Sequence, residues 1–172
     1  MTDVHAADLA HTAHSSSREK VLEHLLIGEV LRCMWRKGIW DMEVLRGEVD
    51  MAGYDIVFEA GGIIRHVQLK SCHRTATTSQ VGINVGLAKK PSGCVVWTHF
   101  DPATLEIGPF LWFGGAPGEP LPPLGEVIGK HTKANREGVK AERPNIRILK
   151  RRQFTVLPDV AALVGALFDK PQ

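Results

Sequence analysis

Cysteine, aromatic residues and long hydrophobic runs are all scarce in this chain of 172 residues. Its three cysteines, Cys33, Cys72 and Cys94, form an odd and widely spaced set, which is typical of reduced thiols rather than of a disulfide framework. No apolar run approaches the roughly 20 residues of a membrane span. No basic segment followed by an apolar run marks a secretory signal. We therefore expect a cytoplasmic protein without membrane contact.

The rest of the composition is that of an ordinary globular chain, with 44% hydrophobic and 23% charged residues. A chain of this length corresponds to one domain and buries enough apolar surface to fold without disulfides or structural metal. Residues 1–15 are small and polar and show no sustained apolar periodicity, so we expect a flexible N-terminal tail there. Residues 16–172 are expected to form a single domain.

The spacing of hydrophobic residues predicts an α/β fold with a central mixed β-sheet flanked by helices. Apolar residues that include Leu22 and Leu26 recur at helical spacing, which predicts a helix over residues 16–37. The pair Gly61 and Gly62 is a two-residue turn signal and predicts a β-hairpin. Strands are predicted at 54–59, 63–71, 93–99, 107–113 and 146–149, and a closing helix at 158–168.

Polar residues converge in the predicted hairpin. With Gly61 and Gly62 as the turn, Asp55 lies directly opposite Gln68, and their Cβ atoms are about 5 Å apart. Lys70 shares that face because side chains alternate along a strand. Carboxylate and carbonyl oxygens bind hard cations such as Mg²⁺, and a neighbouring lysine stabilises charge on a phosphate. The arrangement favours metal-assisted phosphodiester hydrolysis, and the alternative is a solvated polar strand face.

A carboxylate on the first helix would complete such a site. Glu29 lies seven residues after Leu22, at the edge of the predicted apolar stripe. A carboxylate that faces a sheet needs a partner or a metal ion. The alternatives are that Glu29 flanks the core and reaches water, or that Glu23, on a different side of the helix, takes its place. Asp50 is a further acid near the hairpin, and its role stays open at this point.

Three short segments resemble, in this order, the motifs of the PD-(D/E)XK nuclease superfamily: Gly28-Glu29, Gly53-Tyr54-Asp55 and Val67-Gln68-Leu69-Lys70-Ser71. Over about residues 16–100 the chain is similar to Holliday junction resolvase-like members and to small endonuclease-like members with a Gln-x-Lys motif. The resemblance implies a restriction-endonuclease-like core in which Glu29, Asp55 and Gln68 hold Mg²⁺ or Mn²⁺. It also implies that Lys70 acts on the attacking water or the phosphate, so that all four residues serve catalysis. Gln68 stands in place of an acid, which lowers the charge at the metal site.

Positive charge is concentrated in residues 130–152. This segment has nine basic and two acidic residues, a local net charge of +7, whereas the rest of the chain has twelve basic and seventeen acidic residues, a net charge of −5. Such a segment is typical of proteins that bind a phosphate backbone, although a solvated loop is the alternative. Gly138 and Pro144 argue against one long helix, so an irregular arm is expected. The candidate contacts are Lys130, Lys133, Arg136, Lys140, Arg143, Arg147, Lys150, Arg151 and Arg152.

Together these features favour a magnesium-dependent endodeoxyribonuclease that acts on DNA in restriction, repair or mobile-element processing. Because each chain has one site, a two-fold homodimer is the simplest assembly that cuts both strands of a duplex. Two alternatives keep the nuclease fold without its chemistry. One is a non-catalytic nucleic-acid-binding module, which the amide of Gln68 favours, and the other is a subunit of a larger defence system.

Overall fold

The structure, a computed structural model, describes residues 14–47, 53–134, 136 and 138–169. Most of the expected tail, residues 1–13, and Asp50 lie outside the described residues. The helices are α1 (Ser15–Arg36) and α2 (Val160–Phe168). The strands are β1 (Glu43–Arg46), β2 (Ile56–Ala60), β3 (Ile63–His73), β4 (Gln80–Asn84), β5 (Gly93–Phe100), β6 (Ile107–Gly114), β7 (Ile128–Lys130), β8 (Glu142–Lys150) and β9 (Thr155–Leu157). Neither described helix is long and apolar enough to cross a membrane.

Six strands form the central sheet, in the order β1-β2-β3-β5-β6-β9. Strands β3 and β5 are parallel, and the other neighbours are antiparallel, so the predicted α/β class with a mixed sheet is confirmed. The predicted hairpin register is also confirmed, because Ile56 pairs with Val67 and Ala60 pairs with Ile63. Gly61 and Gly62 both have positive φ, which glycine adopts without steric cost in a tight turn.

A second, three-stranded sheet has the order β4-β8-β7 and contains Lys130 and residues 142–150 of the basic segment. The expected irregular arm over about residues 130–152 is therefore wrong for residues 142–150, which form a strand. Strand β7 ends at Lys130, and β8 begins at Glu142. The register of β8 against β7 shifts between Ile128 and Gly129, and this irregularity accommodates Pro144, which lacks a backbone N–H for regular pairing.

Two apolar clusters hold the layers on either face of the central sheet. On one face, α1 and α2 bury Leu26 and Leu163 in the same cluster as Val96. On the other face, the second sheet contributes Leu149 to a cluster that contains Trp97. The helices and the basic second sheet therefore lie on opposite faces of the central sheet.

Arg65 on β3 is a fully buried cation at the edge of the helix layer. Its guanidinium donates hydrogen bonds to Ser92 Oγ at 2.8 Å, to the Ala116 carbonyl at 3.0 Å and to the Gly115 carbonyl at 3.0 Å. It also lies 5.0 Å from the centre of the Trp112 ring. Burial lowers the pKa of Arg65. This side chain joins β3 to the loop after β6 through oxygens of neutral groups.

We predict that Arg65→Met lowers the free energy of unfolding by about 3 kcal/mol, because one buried and two partly buried oxygens lose their donor together. Arg65→Lys should recover only part of this loss, since one ammonium lacks the planar fork that reaches both Ser92 and Gly115. Urea unfolding measures both changes. Arg36→Met, an exposed change on α1, is the control, and equal stability of the Arg65→Met and Arg36→Met proteins would contradict the prediction.

Candidate active-site cleft

A cleft of about 410 Å³ lies between the first half of α1 and the last residues of β3 and β5. Parallel strands end at the same edge of a sheet, so β3 and β5 present their carboxyl ends together. The cleft is lined by Ser16, Glu19, Lys20, Leu22, Glu23, Leu26, Asp55, Leu69, Lys70, Ser71 and Thr98. Three carboxylates and two lysines therefore border one cavity.

Asp55 is held in this cleft by the backbone of β3. Its N–H donates to the Val67 carbonyl at 2.8 Å, and its Oδ2 accepts a hydrogen bond from the Leu69 N–H at 2.6 Å. Lys70 is the next residue along β3 and borders the same cleft. The structure thus brings together two of the four residues that the sequence singles out, with the carboxylate fixed by a backbone donor.

Glu23 is the buried carboxylate of the cleft, with a relative exposure of only 7%. Lys20 Nζ lies 2.9 Å from its Oε2, and Arg46 Nε on β1 lies 3.2 Å from its Oε1. The contact with Arg46 is an ion pair rather than a hydrogen bond. Oε1 is therefore a buried oxygen that accepts no hydrogen bond from the described residues. A buried carboxylate oxygen without a hydrogen bond can coordinate a cation or accept a hydrogen bond from a further donor.

Glu29 does not line the cleft that Asp55 and Glu23 border. Glu29 is half-buried and forms an ion pair with Arg32 on the same helix. Leu26 is the last residue of α1 that lines the cleft, and Glu29 lies six residues beyond Glu23, about 9 Å farther along the helix axis. Counting seven residues from Leu22 selects Glu29, and that count leads to the edge of the buried face of α1 rather than to its centre.

A different spacing in the sequence identifies Glu23. The fully buried residues Val30 and Met34 follow Ile27 at helical intervals, and Glu23 precedes Ile27 by four residues. Residues four apart lie on the same face of a helix. Glu23 is therefore on the buried stripe, where an isolated charge is unfavourable and its presence is a signal.

Gln68 does not line the cleft, and its side chain contacts the second sheet instead. The residue is 7% exposed, and its Oε1 accepts a hydrogen bond from the Asn84 N–H at 3.1 Å. Asn84 ends β4, so Gln68 connects β3 to the second sheet. The hairpin register alone did not reveal this partner, because β4 is distant in sequence and pairs with β8 rather than with the hairpin.

Positive charge also lies at the carboxyl ends of β3 and β5. Burial raises the pKa of the Cys72 thiol, and the Trp97 N–H and the nearby charge of Arg151 act in the opposite direction. Arg151 also donates its backbone N–H to the Ser79 carbonyl at 2.8 Å. Most of the basic residues that the sequence singles out are exposed: Lys130, Lys133, Arg136, Lys140, Arg143, Lys150, Arg151 and Arg152. Arg147 differs, because it is half-buried and donates to the Pro144 carbonyl at 2.7 Å.

The residues of the cleft fit a magnesium ion by their chemistry. Within the described ranges, no three His, Cys, Asp or Glu side chains are already grouped to hold a metal. Mg²⁺ is commonly held by only one or two carboxylates, with water and substrate phosphate as its other ligands. Asp55 and Glu23 supply two carboxylates, and Oε1 of Glu23 accepts no hydrogen bond from the described residues, although Arg46 lies near it.

In comparisons with known proteins, no family model matches the chain, and neither a curated protein nor a solved structure matches it.

His99 gives the neighbourhood of the cleft a pH dependence that can be measured. Its ring is 3% exposed and stacks on Trp97, with 5.9 Å between the ring centres. Burial lowers the pKa of His99, and the charges of Arg151 and Arg74 lower it further against the opposing effect of the Pro109 carbonyl. The unfolded chain therefore binds a proton more readily at this residue than the folded chain does.

We predict that the parent protein loses stability as the pH falls below about 6.5, the ordinary pKa of histidine, because protonation of His99 favours the unfolded chain. His99→Phe keeps a stacking ring without a titratable group and should make the decrease between pH 7 and pH 5 shallower. Urea unfolding at both pH values measures it, with exposed His24→Gln as the control. An unchanged pH dependence in His99→Phe would rule out this role for His99.

Proposed function

We propose that the chain is a metal-dependent nuclease that hydrolyses DNA phosphodiester bonds in the cleft between α1 and β3. The observation that carries this proposal is that Asp55, Glu23 and Lys70 border one cavity. The motif resemblance around Asp55 and Lys70 supports the same chemistry. So does Arg151, which extends the exposed basic segment to the carboxyl end of β3.

In this proposal Asp55 and Glu23 hold the Mg²⁺ or Mn²⁺ ion, and Glu23 takes the role that the sequence assigned to Glu29. When bound, the metal neutralises charge on the phosphate and lowers the pKa of a coordinated water. The Leu69 N–H keeps the Asp55 carboxylate in place, and Lys20 and Arg46 orient Glu23. The ammonium of Lys70 stabilises negative charge that develops on the phosphate oxygens.

A second candidate is DNA binding without cleavage. The observation that favours it concerns Gln68, which stands where the resemblance places a metal ligand but accepts a hydrogen bond from Asn84 instead. In this case the fold and the basic segment are retained, either alone or as a subunit of a defence system. For both candidates we place the protein in the cytoplasm, where free Cys33, Cys72 and Cys94 stay reduced.

The decisive pair of variants is Glu23→Gln and Glu29→Gln, which make the same chemical change on the same helix. With supercoiled plasmid and Mg²⁺ or Mn²⁺, Glu23→Gln, Asp55→Asn and Lys70→Ala should each lower the cleavage rate about 100-fold. This factor corresponds to a loss of about 3 kcal/mol in transition-state stabilisation. Glu29→Gln should cleave like the parent, because its ion pair with Arg32 is exposed and contributes little.

Folding controls accompany each variant, since Glu23 is buried and paired. A thermal unfolding curve identifies any loss that arises from instability alone. If a folded Glu29→Gln protein loses activity and Glu23→Gln keeps it, Glu29 is the helix ligand and the assignment to Glu23 is wrong. If the parent cuts neither duplex, single-stranded nor branched DNA with either metal, the binding module replaces the nuclease.

A further inference from the structure

The basic segment contains a two-stranded ribbon that extends beyond the rest of the second sheet. Strand β4 pairs only with residues 146–150 of β8, whereas β7 pairs with the first residues of β8, Glu142 and Arg143. The pairing continues past the end of β7, because the His131 N–H donates to the Ala141 carbonyl at 2.9 Å. We call residues 128–131 with 141–147 the basic ribbon.

The ribbon and its connecting turn present several exposed cations, together with the exposed Val139. Residues 142–145 are all exposed, and so are the residues described on either side of the connecting turn. Its exposed cations, with those of the connecting turn, include Lys130, Lys133, Lys140 and Arg143. Among the described residues, none of these four forms an ion pair, so their charges are presented to solvent.

Arg147 has a different role in the ribbon. Its Nη1 donates to the Pro144 carbonyl at 2.7 Å and to the Ile146 carbonyl at 3.3 Å. These bonds span the irregularity at which Ile128 faces Arg147 and the next residue, Gly129, faces Arg143. Arg147 therefore maintains the shape of the ribbon, and the exposed cations are left to contact a partner.

We propose that the basic ribbon enters the major groove of duplex DNA, an inference that rests on the proposed function and names its substrate as B-form duplex. The major groove is about 12 Å wide and admits a two-stranded ribbon, whereas the minor groove is about 6 Å wide. Two strands lie about 4.8 Å apart, which leaves room on both sides for Lys and Arg side chains to reach the flanking phosphates. The major groove of an RNA duplex is deep and narrow and excludes such a ribbon.

Binding of the full chain is measured in EDTA, so that cleavage does not interfere, by fluorescence anisotropy with four probes of one sequence. These are duplex DNA, its single strand, the RNA duplex, and duplex DNA whose cytosines carry glucosylated hydroxymethyl groups that fill the major groove. Plain duplex DNA should bind at least 10-fold more tightly than each of the others. Equal affinity for the plain and the glucosylated duplex, or equal affinity for the RNA duplex or the single strand, would overturn the proposal.

Two triple variants with the same loss of charge locate the contact. Lys133→Gln, Lys140→Gln and Arg143→Gln together should reduce the slope of log K against log salt by about 2 to 3, at about 0.9 for each phosphate that is no longer neutralised. The matched control removes three exposed cations from the helix side of the sheet, with the changes Arg32→Gln, Arg36→Gln and Lys37→Gln. The control should change the slope by less than 1, and equal effects of the two triple variants would contradict a ribbon contact.

The ribbon proposal and the nuclease proposal can be contradicted independently of each other. If the ribbon results hold and the parent cuts no DNA, only the nuclease assignment is overturned. If cleavage holds and the ribbon variants bind every probe like the parent, only the ribbon assignment is overturned.

Discussion

Strands β3 and β5 pair in parallel over the whole length of β5, from His66 beside Gly93 to His73 beside Phe100. Parallel neighbours require a long crossover connection, and here residues 74–92 form it on the face opposite the helices. Strand β4 lies within that crossover and pairs with β8, which places the basic second sheet against the central one. The same parallel pair brings two strand ends together beside α1 and forms the cleft. Both surfaces that the proposed function uses therefore follow from one strand pair.

The cleft contains a buried charge, the carboxylate of Glu23, at a position where an apolar residue would serve stability better. An apolar residue at position 23 would continue the buried stripe of Ile27 and Val30 on α1. A buried carboxylate instead has a desolvation cost of several kcal/mol, which Lys20 and Arg46 offset only if their geometry is good. One oxygen of Glu23 still lacks a hydrogen bond among the described residues, so this compensation is incomplete. A bound cation would complete it, which connects the cost of burying Glu23 to the proposed chemistry.

The sequence predicted the local parts of this structure well and the long-range parts poorly. A two-residue Gly61-Gly62 turn sets the hairpin register by itself, so the pairing of β2 with β3 followed from counting, although β2 begins at Ile56, one residue after Asp55. The choice between Glu23 and Glu29 depends on where the helix meets β3, and helical spacing alone does not supply that. The partner of Gln68, the Asn84 N–H, was not predicted because it lies in the crossover. The basic segment was expected to be irregular because the pairing of β8 with β4 joins residues more than 60 positions apart.

The central claim is that the cleft beside Asp55 holds a divalent cation for phosphodiester hydrolysis. Its most direct test is a crystal structure of the full chain grown with Mn²⁺, whose anomalous scattering identifies the ion without ambiguity. We predict an anomalous peak within coordination distance of a carboxylate oxygen of Asp55, with Glu23 as the second protein ligand. A fully loaded crystal with Mn²⁺ bound only elsewhere, or with Glu29 in place of Glu23, would contradict it.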